Sequence, residues 1–385
     1  MLAFNRDNIH DLEVLVLAKK LLKDGFIEAN TDLEPLEAKS KLYHPGLFMR
    51  IFLFLVGLIG GAAAVGLWFY LWRDALEHSW RLLSFVAGAG LITFLEIVLI
   101  RTQKHYKSGI TEAVLYGGLA LLIISIADSL EAKEWLEALF AAFICAVAAI
   151  RYADSLLSAL TLVLVALSFL LFVDELESTV ARTILPFFTM LFFTGVYAWL
   201  LRLEKKEPKP WLKPIYAAQV ISLLLKYAGG NYLVVRELNV SLSGGTVQPG
   251  EDIPMAWIFY ALTILIPVFY LYMGVKRRDR IRVWAGMFTA GFSVFTFKYY
   301  YSFGHPEVTL TISGLLLLGL SVYLLTKLKK PKKGITRDRL AGANLDFLTA
   351  EGIFISQTLG GTTGAQQEQL FKGGHFGGGG ASGDF

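Results

Sequence analysis

The feature that most constrains this chain is a series of apolar segments, each long enough to cross the hydrocarbon core of a bilayer. A transmembrane helix needs roughly 20 mostly apolar residues, and hydrophobic residues make up 55% of the sequence. We therefore predict an all-α, polytopic integral membrane protein with ten transmembrane helices. Their expected limits are 47–72, 80–100, 110–130, 134–151, 154–174, 180–201, 212–228, 254–275, 282–301 and 308–328.

Charge and cysteine content exclude other classes of protein. The formal net charge of +4 is small and scattered along the chain, which argues against a nucleic-acid partner. The single cysteine, Cys145, lies in the apolar run 140–150 and excludes an internal disulfide. We expect no cleavable signal, so that the first apolar run itself directs insertion.

The distribution of lysine and arginine predicts the orientation of the spans. Positive residues concentrate in loops that face the cytoplasm, and every second loop is enriched in them. Both termini are therefore predicted to be cytoplasmic, in a bacterial inner membrane. The enriched loops carry Arg101, Lys104, Lys107, Arg151, Arg202, Lys205, Lys206, Lys209, Lys213, Lys276, Arg277, Arg278, Arg280 and Arg282; the alternate loops carry Arg73, Arg81, Lys133, Arg182, Lys226, Arg236 and Lys298.

The remaining segments divide the chain into three predicted parts. Residues 1–46 are predicted to form a cytoplasmic helical hairpin. It consists of an amphipathic helix that ends near Gly25 and a short helix capped by Thr31. Residues 47–328 form the bundle, whose longest outer loop, 229–253, is predicted to contain a small β-hairpin. Residues 329–385 form a flexible, Gly-rich cytoplasmic tail. The hairpin at the N-terminus has three candidate docking places, namely the bilayer, the bundle or a partner.

Ionisable groups inside spans are costly and are candidate functional sites. Glu96, with Thr93 one turn earlier on the same face, is the clearest intramembrane carboxylate. Either it is a proton or cation site, or it is paired locally or reaches the headgroups; the second alternative is favoured.

Two polar stripes with helical spacing are the next candidates. Gln219, Ser222 and Lys226 form one in the seventh span, and Thr289, Ser293 and Thr296 form the other in the ninth. Such stripes either line a solute path or make interhelical hydrogen bonds worth about 0.6 kcal/mol each, and the structural alternative is favoured.

Enzyme motifs are absent from the sequence. It contains no His-Glu-x-x-His, P-loop, Gly-x-Ser-x-Gly or Rossmann glycine pattern. We expect no catalytic residue, no cofactor and no metal site.

The C-terminal tail carries the most specific sequence signal. It ends in Phe376, Gly377 to Gly380, Ala381, Ser382, Gly383, Asp384 and Phe385. This ending resembles the C-terminal signature of bacterial TPM-domain membrane proteins, although Phe385 stands where Trp is common and no TPM domain is present. The resemblance implies a shared protein partner at Phe376, Gly377, Gly380, Ser382 and Phe385. A weaker similarity of residues 12–72 is to uncharacterised bacterial multi-pass families.

Two functions are compatible with these features. The first hypothesis is a non-enzymatic scaffold or regulatory subunit of a membrane assembly, recruited through the tail. The alternative is a solute or ion permease with a polar path through spans two, seven and nine.

Overall fold

Long helices account for almost all of the residues that the structure describes. The computed structural model describes residues 2–23, 33–130, 133–206, 209–242, 252–277 and 279–300, with scattered positions from Thr311 to Thr326. The helices are α1 (Arg6–Lys23), α2 (Glu34–Lys39), α3 (Leu47–Leu71), α4 (Arg73–Phe94), α5 (Ile110–Leu130), α6 (Glu134–Tyr152), α7 (Ser155–Glu175), α8 (Thr179–Glu204), α9 (Leu212–Gly230), α10 (Tyr232–Leu242), α11 (Ala256–Arg277) and α12 (Arg280–Tyr300).

The prediction of an all-helical membrane protein is confirmed for these described residues. Six helices are long and apolar enough to cross a membrane, and Ile110–Ile126 is a shorter apolar helix. No strand occurs in the described part of the chain, where Tyr43 and His105 form one isolated bridge. Because a spanning segment must satisfy its own backbone hydrogen bonds in lipid, helices are the expected solution.

The outer surface of the bundle is apolar, as contact with lipid requires. On α11, Trp257 is 73% exposed and Leu265 60%, and on α8 Leu191 is 75% exposed. Soluble proteins rarely expose contiguous apolar surface on this scale. This exposed apolar surface is compatible with a membrane location.

The N-terminal helices dock on the bundle, one of the three places considered from the sequence. Ile9, on α1, is 1% exposed and belongs to the same apolar cluster as Leu95 and Cys145. The backbone N–H of Ala3 donates to the carbonyl of Arg151 at 2.8 Å. An ion pair from Lys19 to Glu37, at 2.7 Å, joins α1 to α2. The predicted cap Thr31 and terminus Gly25 lie outside the described residues.

The junction of α6 and α7 confirms that the long apolar run 134–174 contains two helices. Ala153 adopts a left-handed conformation, φ 49° and ψ 47°, which ends α6. Asp154 then caps α7 by accepting from the N–H of Leu157 at 2.9 Å, and it accepts a second bond from the Tyr116 hydroxyl at 3.0 Å. The chain therefore reverses within a few residues.

One local prediction is wrong. The segment predicted to contain a β-hairpin instead forms α10, which begins one residue after α9 ends. Asn231 explains this because its side-chain oxygen accepts from the N–H of Val234 at 3.2 Å, as a helix cap does. The connection between the first two spans is helical, since α4 begins at Arg73 and kinks at Ser79, where the second candidate span begins.

Helix α9 lies at the centre of the second half of the bundle. It packs against α7, α8, α10, α11 and α12. Its apolar contacts include Leu223 and Tyr227, which share a cluster with Tyr270 of α11 and Ala285 of α12. A central helix needs no lipid-facing surface, so it tolerates polar residues that a peripheral span would not.

Candidate functional site

The structure places Glu96 in an ion pair. Helix α4 continues as a π-helix over Leu95–Thr102, which carries Glu96 towards α6. The carboxylate accepts from Nε and Nη2 of Arg151 at 2.6 and 2.7 Å and from the Tyr152 hydroxyl at 2.8 Å. Thr93 is exposed, and its hydroxyl donates to the Ala89 carbonyl in its own helix at 2.8 Å. Neither residue joins the stripes on α9 and α12.

A second buried carboxylate lies near this pair and was missed from the sequence. Glu112 pairs with Arg50 and accepts from the N–H of Gly109 at 2.8 Å and from the Thr111 hydroxyl at 2.7 Å. At φ +96° Gly109 is left-handed, and a Cβ there would lie 2.0 Å from the Arg50 carbonyl oxygen. These contacts fasten the start of α3 to the start of α5.

The loop before α5 contributes a half-buried lysine. Lys107 donates from Nζ to the Ala153 carbonyl at 2.9 Å. Burial lowers the pKa of Lys107 to about 8 and raises the pKa of Tyr106 to about 12. Lys107 also lines a cavity of about 20 Å³ with Phe4, Glu112 and Asp154, which is room for about one water molecule.

The predicted stripes of α9 and α12 both face the protein interior. Gln219 and Ser222 of α9 are 1% and 0% exposed, and Lys226 is half-buried. On α12, Thr289, Ser293 and Thr296 are 0%, 7% and 1% exposed. We call these six residues the α9–α12 polar interface.

Most hydroxyls in this interface bond to their own helix. Ser222 donates to the Ala218 carbonyl at 2.7 Å, and Thr289 donates to the Ala285 carbonyl at 2.7 Å. Gln219 instead reaches α8, where its Nε2 donates to Glu204 at 2.9 Å. An intrahelical bond leaves a hydroxyl oxygen able to accept, so these groups can contact a solute without breaking a tertiary bond.

Asn231 connects the two helices. Its Nδ2 donates to the Tyr227 hydroxyl at 2.8 Å and to Oγ1 of Thr296 at 2.9 Å. Asn231 is 0% exposed. The next residue, Tyr232, donates from its backbone N–H to Oγ1 of Thr263 on α11 at 2.9 Å. The break between α9 and α10 is thus buried and fully bonded to its neighbours.

Two glycines allow this close approach. A Cβ on Gly229 would lie 2.9 Å from the carbonyl oxygen of Pro186 in α8, and one on Gly230 would lie 2.5 Å from Ile266 in α11. Interrupted helices that are buried in protein are tolerated at membrane depth, where they often form solute sites.

Two cations lie close together near this interface. The Lys226 ammonium lies 5.7 Å from the centre of the Tyr270 ring, and the Tyr270 hydroxyl donates to the Leu223 carbonyl at 3.0 Å. Arg282 bonds to the Tyr197 hydroxyl at 2.8 Å and forms an ion pair with Asp279 at 3.2 Å. Among the described residues, no carboxylate pairs with Lys226.

Sequence reasoning found the stripes and missed their partners. The pair Gly229–Gly230 followed by Asn231 was the available signal of a buried helix break, but the apolar residues that follow were interpreted as strands. Tyr197, Tyr227 and Arg282 have no distinguishing local pattern, because only the packing of α8, α9 and α12 brings them together.

Some expectations concern residues outside the described part. These are the Gly-rich tail, with Phe376, Gly377, Gly380, Ser382 and Phe385, and most of the tenth predicted span. In the described part, no group of three or more His, Cys, Asp or Glu side chains is arranged to hold a metal ion.

Comparisons of the chain with protein-family models, with curated proteins and with solved structures gave no match.

Proposed function

We propose that this chain is a permease for a small solute or ion, with its path along the α9–α12 polar interface. The observation that carries the proposal is that α9 and α12, which pack together, each bury a row of polar side chains, with the half-buried Lys226 on α9 beside them. Intramembrane ionisable residues are rare and mark solute pathways by default. Glu96 and Thr93 belong to a separate cluster, so the proposed path no longer includes the second span.

The same proposal includes the topology. Ten spans with both termini in the cytoplasm of a bacterial inner membrane agree with the distribution of lysine and arginine. Fusions of a cytoplasmic and an extracytoplasmic reporter at the loops before α9 and before α11 test this orientation. The loop before α11 is predicted to be extracytoplasmic. Activity of the cytoplasmic reporter fused at that loop would therefore contradict the proposed orientation.

Cysteine accessibility tests the path without knowledge of the solute. In a Cys145→Ser background, Ser222→Cys and Ser293→Cys place thiols in the interface with little change of shape. Ser168→Cys is the matched control, since Ser168 is 3% exposed but lies on α7 and bonds to Val165 at 2.9 Å.

We expect water-soluble methanethiosulfonate reagents to modify the two interface cysteines in native membranes faster than the control cysteine. A solute path must admit water at least transiently, and the reagent enters with the water. The part of α7 around Ser168 lies outside the proposed path, so water is not expected to reach the control cysteine. Equal, slow reaction at all three positions would refute the permease.

A second candidate function rests on the tail. The similarity of its last thirteen residues to the ending of TPM-domain proteins supports a scaffold or regulatory subunit that recruits a protein partner. A pull-down from gently solubilised membranes would compare the full chain with a chain truncated after Lys372. A stoichiometric partner lost with the tail would support this role, and identical partner lists would exclude recruitment by the tail.

A further inference from the structure

We infer that the solute is a small anion and that Lys226 contacts it directly. This inference rests on the proposed permease function and adds the class of substrate. The argument depends on the position of Lys226, on the charges around it and on the hydrogen-bond donors beside it.

Lys226 lies four residues before Gly230, the last residue of α9. At 1.5 Å per residue it is about 21 Å along α9 from Leu212, and a lysine side chain on a helix leans back towards the helix start. Its ring contact, Tyr270, is 2% exposed and belongs to the apolar core of the second half. The half-buried side chain therefore places its ammonium beside this apolar core.

The surrounding charges do not neutralise Lys226. Asp279 is already engaged by Arg282 and by the Tyr197 hydroxyl, which donates to it at 3.2 Å. Glu204, at the end of α8, accepts from Gln219. Towards α10, Glu237 accepts from Tyr300, and Arg236 stacks on the Tyr300 ring at 4.8 Å. The charged neighbour that acts on Lys226 is Arg282, another cation.

An uncompensated cation inside a membrane bundle is costly. A bound anion would offset that cost, whereas a cationic solute would be repelled by Lys226, since the charge of Arg282 is already paired with Asp279. Rings of lysine or arginine select for anions in pores for the same reason.

Uncharged donors lie within two turns of Lys226. Tyr227 accepts from Asn231, and Ser293 lies within hydrogen-bonding reach of the Tyr227 hydroxyl. Whichever of these two hydroxyls donates to the other, one proton remains, so an anion beside Lys226 would find a hydroxyl donor as well as an ammonium.

The test is ion flux in proteoliposomes that contain the purified full-length chain. Iodide and bromide influx would be followed by quenching of a trapped halide-sensitive dye, and uptake of radioactive sodium would be measured in the same preparation. Lys226→Gln removes the charge and Lys226→Arg keeps it. Lys298→Gln is the matched control, because Lys298 is exposed on α12.

We expect iodide or bromide influx above that of empty liposomes and no sodium uptake. Lys226→Gln should reduce anion influx at least about tenfold, and the other two variants should retain it within about threefold. Anion influx that is unchanged in Lys226→Gln would overturn the role of Lys226 and leave the permease standing.

The comparison of ions in the unmodified protein needs no variant and decides the substrate class even where Lys226→Gln does not fold. Sodium uptake without anion influx would overturn the anion inference while supporting a permease. Absence of all flux, together with unreactive cysteines at positions 222 and 293, would overturn both.

Discussion

At the scale of single residues, the paired carboxylates differ in how far they are buried and in how many partners they have. Glu112 has three partners from two helices and a loop, and its side chain is 9% exposed. Glu175 pairs with Lys133, but their side chains are 39% and 64% exposed. A buried charge that loses a partner costs more than a solvated one, so these two acids are a natural matched pair.

Glu112→Gln is expected to lower stability by about 1–2 kcal/mol, because it weakens the contacts of Arg50, Gly109 and Thr111 while keeping the shape. Glu175→Gln should change it by less than about 0.5 kcal/mol. The measurement is the apparent melting temperature in detergent, reported by a thiol-reactive dye on Cys145, which is 1% exposed when folded. Equal effects of the two variants would contradict this assignment.

Lys107 makes the stability depend on pH. Burial lowers the pKa of Lys107 from 10.5 to about 8 in the folded chain. Between these values the unfolded chain binds the additional proton, so folding becomes more favourable as the pH rises through this window.

Lys107→Met removes this titration. The melting temperature of the unmodified protein, relative to that of Lys107→Met at the same pH, should therefore rise between pH 7.5 and pH 9.5. Measurement of both proteins across that range checks the sign. A difference that stays constant or falls would show that Lys107 is not buried as a charged group.

At the scale of the elements, α9 differs from the candidate spans because it carries a polar face and buries that face in the protein interior. It does not meet the apolarity of the six candidate spans, although it lies at the centre of five neighbouring helices. Its join to α10 depends on backbone approach to α8, where Gly229 meets the carbonyl of Pro186. A backbone oxygen cannot rotate away as the end of a flexible side chain can, so a Cβ at position 229 would force α8 and α9 apart.

Gly229→Ala is therefore expected to destabilise the chain by about 1–3 kcal/mol through overpacking. Gly195→Ala is the control, since a Cβ on Gly195 of α8 meets nothing within 4 Å. It should be neutral or stabilising by up to about 1 kcal/mol through its helix propensity. Melting curves of both variants test this, and a stable Gly229→Ala protein would mean that α8 and α9 are further apart.

At the scale of the whole molecule, the N-terminal segment and the bundle share one apolar core. Phe4 and Ile9 pack in the same cluster as Leu99, Cys145 and Leu157. The T-shaped contact of Phe4 with Tyr106, 4.9 Å between ring centres, lies at the same end. The first helix therefore contributes to the stability of helices that follow it by more than a hundred residues.

Ile9→Ala should destabilise this core by about 2–5 kcal/mol, as large-to-small substitutions at buried sites do. We expect faster modification of Cys145 by a thiol reagent under native conditions. Val16→Ala is the control on the same helix, because Val16 is 49% exposed. Unchanged Cys145 reactivity in Ile9→Ala would contradict the docking of α1.

The sequence by itself determined the helical class and the position of most helices, because a long apolar segment has no other way to satisfy its backbone in lipid. It also determined which residues of α9 and α12 share a face, since helical spacing is a local property.

Only the tertiary structure decided where those faces point and what they meet. Glu96 finds Arg151 far along the chain, Asn231 joins α9 to Thr296, and the residues after Asn231 form a helix where their apolar pattern suggested strands. Spacing along the sequence has no information about contacts between distant segments. Packing and the need to bond every buried polar group decide them instead.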